Sequence, residues 1–248
     1  MGMVGSSPTT GRPWSAEPRP ELRLLKGFEL GCGGRPISLP LGSQRLLAFL
    51  ALQERPLVRS YVAGTLWQDA TEDRSNACLR STLWRLRNRG YPLVEATGDH
   101  VCLADQVRVD SREAATQARQ VIQGTDDYRP SEVQRMLMVG DLLPDWYDDW
   151  LVIERERLRQ LRLHALEALA IRLTAMGRFA EAVEAALGAV MAEPLRESAH
   201  MALIAAHLAE GNRGEALRQF RACRDLLRRE LGLEPSPRLQ EAVRGLGI

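Results

Sequence analysis

Lysine is almost missing from this chain: of its 33 basic residues all but Lys26 are arginine. Arginine codons are GC-rich and lysine codons are not, so the bias reflects coding and carries no functional meaning. Cysteine is sparse too. Cys32, Cys78, Cys102 and Cys223 lie far apart with no CxxC pair, which excludes a paired-ligand zinc site and a dense disulfide framework and predicts single, reduced, mostly buried thiols. No apolar run approaches the ~20 residues that cross a bilayer. The first residues (MGMVGSSPTTGRPWSAEPRP) lack the apolar stretch of a secretory signal. A cytoplasmic, nucleoid-associated protein with no membrane partner is expected. No GxxxxGK[ST] phosphate loop occurs. His100, His164, His200 and His207 are scattered. His200 and His207 are spaced to share a helical face, but no Cys or carboxylate completes a metal set with them. We therefore expect no catalytic residues, no metal and no cofactor.

What is present is ordinary in bulk: 45% hydrophobic, 26% charged and a net charge of +1 over 248 residues, too apolar for disorder and long enough for roughly two domains of ~100–200 residues. Residues 1–20 are rich in Pro, Gly and Ser and read as a flexible tail. Residues 21–110 and 111–248 differ in texture and form the two expected domains.

In the first, LRLLKGFEL and ISLPL flank a glycine turn as two short strands. From about Ser43, SQRLLAFLAL is a helix with Leu46, Leu47 and Leu50 inward and Phe49 at the edge, stopped by Pro56. VRSYVAGTLW makes a second helix with Ser60 as N-cap and Val62, Leu66 and Trp67 inward. DRSNACLRSTLWRLRNRG makes a third, closed by Gly90. YPLVEATGDHVCLA then reads as a hairpin turning at Thr97-Gly98-Asp99. Strands, three helices and a hairpin are the plan of a winged helix-turn-helix.

At 100° per residue, Leu79, Leu83 and Leu86 of the third helix fall on one face with Ser75 and Thr82. Arg74, Ala77, Ser81, Trp84, Arg85 and Asn88 fall on the other, with Arg80 and Arg87 to one flank. From Arg74 to Arg89 there are five arginines and no acid. A solvated helix face normally mixes signs to gain i,i+4 pairs; this one does not, and it leaves Trp84 among cations. Arginine forks suit guanine edges and phosphates, and a helix fits the major groove.

The second domain reads as helix almost throughout: SREAATQARQVIQ, SEVQRMLMVG and DWLVIERERLRQLRLHALEALAIRLTAMG open it. A repeat recurs at a spacing of 34 residues, matching Gly177 with Gly211, Glu181-Ala182 with Glu215-Ala216, Leu169 with Leu203 and Ala168 with Ala202. That is the period of the tetratricopeptide unit, a helix pair that buries its apolar faces by stacking. Pro194 ends the second helix of one unit. The run Arg155–Arg162 reads as a charged solvent face, and DLLPDWYDDW as a loop whose Trp146 and Trp150 dock on the helical core. The expected fold is thus mainly α with a small β part, a winged helix followed by an all-α repeat domain.

The segments LLPDWYDDWLVIERERLRQLRLHALEALA, AEPLRESAHMALIAAHLAEGNRGEALRQF and RRELGLEPSPRL closely resemble the bacterial transcriptional activator domain, which follows an OmpR-like winged helix in the Streptomyces antibiotic regulatory proteins. The likeness runs over about residues 22–246, without an ATPase module or receiver domain, as in the short form of that family. It implies an activator of antibiotic and other secondary-metabolite clusters that binds direct repeats in double-stranded promoter DNA near the −35 element. It also implies a second copy alongside in tandem, and recruitment of RNA polymerase holoenzyme through its sigma and alpha subunits. The recognition helix maps onto about Arg74–Arg89 and the wing onto about Pro92–Leu103. Arg80, Ser81, Trp84 and Arg85 are then candidates for base or sugar contact, with Asn88 on the same face. Arg59, Ser60, Arg74 and Arg87 are candidates for phosphate, and Thr97 and His100 are the groups at the wing tip. The alternative is a helical-repeat adaptor that holds a peptide and has no DNA activity of its own.

Overall fold

The computed structural model describes residues 19–88, 92–125 and 129–246. The expected tail lies outside the described residues as far as residue 18. Pro20 is already in a strand, so the folded chain starts before the boundary drawn from composition.

Strands β1 (Pro20–Arg23), β2 (Glu29–Cys32) and β3 (Arg35–Pro36) form an antiparallel run, with Leu22 facing Leu30 in register. The first apolar stretch is therefore two strands, reversed at Lys26 (φ 73°) and Gly27 (φ 145°), and ISLPL is no strand. Helix α1 (Leu41–Ala51) follows, apolar on nearly every side of its second half because it is buried all round. It ends well before Pro56. Two residues of strand, β4 (Leu57–Val58), lead into α2 (Arg59–Leu66), and then comes α3 (Glu72–Arg87). The residue flanking α2 is Val58, which places Ser60 inside the first turn and not at the cap. The wing is β5 (Val94–Thr97) and β6 (His100–Leu103), with β4 added on the far side of β6. Strand β7 (Arg108–Val109) returns to pair parallel with β1.

Helices α4 (Asp110–Gln123), α5 (Pro130–Leu137), α6 (Asp149–Ala175), α7 (Phe179–Ala192), α8 (Glu197–Glu210), α9 (Arg213–Leu231) and α10 (Pro237–Val243) make the rest, with a short 3-10 turn at Arg244–Leu246. The repeat is a pair of stacked hairpins, α6–α7 and α8–α9. Gly177 (φ 73°) and Gly211 (φ 91°) sit in the left-handed conformation at their turns. Leu169 and Leu203 are buried at matching positions, as are Ala182 and Ala216, where small side chains let the helices approach. Helix α7 stops at Ala192, ahead of Pro194.

Two expectations fail at the junction of the halves. The Arg155–Arg162 run is no simple solvent face. Arg155 donates from Nε to Leu142 O (2.8 Å) and from Nη2 to Trp146 O (2.6 Å) and Leu143 O. Arg162 donates to Leu137 O and Gly140 O, both at 2.8 Å. The two guanidiniums hold the loop between α5 and α6 in place, and burial pushes the Arg162 pKa down. Trp146 and Trp150, in turn, dock on the N-terminal core: Trp146 stacks on Phe28 at 6.0 Å between ring centroids, and Trp150 meets Phe49 edge-on at 5.2 Å. The loop is stitched to the β1–β2 turn by Lys26 N–H to Asp141 O and Leu143 N–H to Leu24 O, each 2.9 Å. Asp110 accepts from the backbone N–H groups of Leu24, Leu25 and Ser111 at 2.7–3.1 Å. One continuous core thus joins the winged part to Leu142, Leu143, Leu151 and Leu158.

Candidate nucleic-acid interface

Helix α3 begins after Thr71, with Glu72 and Asp73 in its first turn and Arg85 and Arg87 in its last. That polarity suits the helix dipole at both ends. The acid-free stretch read from the sequence thus starts one residue after a pair of acids that belong to the same helix. Packing against α1, α2 and β5 orients it. Its inward face is Ser75, Leu79, Thr82, Leu83 and Leu86. The two buried hydroxyls bond back to their own helix, Ser75 Oγ to Glu72 O (2.9 Å) and Thr82 Oγ1 to Cys78 O (2.8 Å), so no polar group is stranded inside.

The outward face carries Arg74, Arg80, Ser81, Trp84, Arg85, Arg87 and Asn88, all exposed. Trp84 is 66% exposed. No ion pair joins Arg74, Arg80, Arg85 or Arg87 to any described residue. Many arginines elsewhere are paired, among them Arg45 with Asp148, Arg108 with Glu113, Arg119 with Glu54 and Arg196 with Glu167. Arg89 and the expected helix end at Gly90 lie outside the described residues.

A second group forms at the wing. The hairpin has a two-residue turn, Gly98-Asp99, with Thr97 facing His100 in register and Gly98 at φ 56°. Val58 of β4 faces His100, and the Arg59 N–H donates to Asp99 O at 2.7 Å. The start of α2 is thereby fixed beside the wing tip, bringing Arg59 and Ser60 next to Thr97 and His100. Ser60, Thr97 and His100 are exposed, whereas Arg59 is half-buried and its Nε has no partner among the described residues. Tyr61, 54% exposed in the same first turn, was not picked out from the sequence. Its place off the Val62–Leu66 inward stripe was the available signal. Below the tip, burial first and then Glu95 and Asp105 push the Cys102 thiol up, so it stays protonated at neutral pH.

Among the described residues no cluster of His, Cys, Asp and Glu is placed to hold a metal, and no helix is long and apolar enough to cross a membrane. His200 is structural: Nε2 lies 2.8 Å from Pro194 O and Nδ1 2.6 Å from the Gln219 amide.

The strings that carried the resemblance hold the helical half together. In EPLRESAH, Arg196 and Ser198 both bond Glu167 of α6, at 2.6 and 2.8 Å. Glu197 accepts the Ser236 N–H (2.7 Å) from the ELGLEPSPRL segment, where Gly232 (φ 67°) ends α9.

Known proteins are similar to this chain. The chain matches the model of the bacterial transcriptional activator domain over residues 103–246. Two curated relatives are both regulatory protein AfsR. The one from Streptomyces griseus is 26% identical over 233 residues, covering 89% of this chain and 23% of the relative. The one from Streptomyces coelicolor is 31% identical over 208 residues, covering 79% and 21%. The chain thus spans less than a quarter of the length of these relatives. Among solved structures, Mycobacterium tuberculosis EmbR in complex with a low affinity phosphopeptide superposes with a TM-score of 0.71 at 22% identity, over 92% of this chain and 65% of that one. That likeness concerns the fold, a winged helix ahead of a helical domain.

Together these define the class of protein, a winged helix joined to a bacterial transcriptional activator domain. The chain belongs to the bacterial transcriptional activator domain family, in the group of the Streptomyces antibiotic regulatory proteins.

Proposed function

We propose that the protein activates transcription by binding promoter DNA through the outward face of α3, with the wing and the start of α2 on flanking phosphates. The observation that carries this is the clustering of four arginines without ion pairs around exposed Trp84 on one helix face, in a protein where many other arginines are paired. Leaving four guanidiniums without counter-charges on one helix is unfavourable in isolation and becomes favourable against a polyanion. Arg80, Ser81, Trp84 and Arg85 contact base edges or sugar; Arg59, Ser60, Arg74 and Arg87 set the register on phosphates. Asn88 extends the α3 face, and Thr97 and His100 reach the backbone from the wing.

By family likeness the site is a pair of direct repeats near the −35 element, read by two copies in tandem. The helical half presents surface to the sigma and alpha subunits of RNA polymerase holoenzyme. The genes switched on belong to a secondary-metabolite cluster. The domain division at residues 110 and 111 belongs to the same proposal: one half for DNA, the other for polymerase. Footprinting on the promoters beside its own gene tests this. Two protected repeats in tandem overlapping the −35 region are expected. No protection at low salt by the folded protein overturns it and leaves a helical adaptor as the better account.

A further inference from the structure

A cleft of about 260 Å3 opens where the two halves meet, between the end of α1 and the α4–α6 pair. Its apolar wall is Leu52, Ala115, Leu158 and Leu161. Its polar lining is unevenly satisfied. The Arg112 guanidinium donates to Ala51 O (2.6 Å), Leu50 O (3.1 Å) and Gln53 O (2.6 Å), so it is committed to the C-terminal end of α1. Arg119 is paired with Glu54 at 3.2 Å. The Ser111 hydroxyl, in a residue only 4% exposed, has no hydrogen-bond partner among the described residues. The Glu154 carboxylate is half-buried and makes no ion pair or hydrogen bond with a described residue. Burial opposes its charge, Glu54 adds to that, and Arg157 on the exposed rim offsets it in part.

The groups without a hydrogen bond or ion pair among the described residues, then, are the Glu154 carboxylate and the Ser111 hydroxyl, both able to accept, above an apolar wall, and the Arg157 guanidinium on the exposed rim. What the two acceptors lack is a cationic donor attached to an apolar body. We propose that this cleft binds a small amphipathic amine, its ammonium on Glu154 and Ser111 and its hydrocarbon part on Leu52, Ala115, Leu158 and Leu161. An anion is disfavoured because Arg112 and Arg119 are already engaged and the rim cation Arg157 is offset by Glu154 itself. Since the walls come from α1 on one side and α4 and α6 on the other, the occupant bridges the winged and helical halves. It is placed to report metabolite level to the regulator. The site stands independently of the DNA reading.

Calorimetric titration of the full chain with n-hexylamine, n-hexanol and hexanoate tests it. Saturable amine binding in the millimolar range is expected, with the alcohol and the acid at least about tenfold weaker. Glu154→Gln weakens the amine about tenfold, and Ser111→Ala by a few-fold. Arg157→Ala, on the exposed rim where folding is not at risk, removes the competing cation and tightens binding about threefold. Equal binding of the three probes overturns the proposal. So does an affinity for the amine unmoved by both Glu154→Gln and Arg157→Ala, or the absence of saturable amine binding.

Discussion

At the scale of single residues, the arginines of this protein do three different jobs. Arg155 and Arg162 spend their donors on loop carbonyls, Arg196 ties α8 to Glu167, and the α3 arginines are left without partners. Clustering on one exposed helix face without ion pairs sets the last group apart, and mutation separates roles within it. Arg85→Ala is expected to cost ~1–3 kcal/mol of DNA binding and to relax preference at one position of the site, read by affinity for a panel of single-base variants. Arg59→Ala is expected to weaken all sequences alike and to flatten the salt dependence. If the two variants behave identically across the panel, the division into base and phosphate contacts is wrong. His200 gives a pH effect of defined sign. Burial holds its imidazole below the ordinary value of about 6.5, against the opposing pull of the Pro194 carbonyl and Glu197. As the pH falls below that value the unfolded chain takes the proton first, so the folded state loses stability until its own imidazole protonates. In His200→Gln the drop in unfolding temperature between pH about 7.5 and about 5.5 should be smaller than in the parent.

At the scale of elements, the stacked hairpins depend on their turns. Gly211 closes α8 at φ 91° with nothing crowding its α-carbon, so a substitution there meets backbone strain alone. Gly211→Ala is expected to cost about 1–2 kcal/mol, seen as a lower unfolding temperature; an unchanged temperature would show that the turn tolerates another conformation. Elements with strong periodicity or turn chemistry were legible in the sequence: the two faces of α3, the Gly98-Asp99 hairpin, the glycines and alanines matched at the repeat spacing. Elements defined only by a distant partner were not. The two-residue strands β4 and β7 have no period to show, and each exists because β6 or β1 supplies its ladder. Ser60 looks like an N-cap locally, yet β4 delivers the chain into the helix two residues earlier, with Val58 at the cap. Arg155 and Arg162 look like solvent charges because the carbonyls they clamp lie in a loop whose path no local signal encodes.

At the scale of the molecule, the winged part and the helical part share a core. Asp110, Trp146, Trp150, Leu143 and Leu151 complete the packing around β1, β2 and α1, so the orientation of α3 is set partly by residues far along the chain. A fragment ending at residue 110 keeps Asp110 but loses the contacts of Trp146, Trp150, Leu143 and Leu151. It should unfold at a markedly lower temperature than the full chain, or without a cooperative transition, by circular dichroism. A fragment as stable as the parent would mean that the shared core contributes little. The arrangement also gives the cleft at the junction its reach, since its walls belong to both halves. The central claim, that the unpaired arginine face of α3 reads duplex DNA, is tested most directly by binding isotherms on its promoter duplex and a scrambled one across a salt series. The account predicts that log affinity falls linearly with log salt, by roughly 0.9 for each phosphate contacted, with the promoter duplex bound more tightly throughout. Equal, salt-insensitive binding of both duplexes, or none at low salt by folded protein, would contradict it.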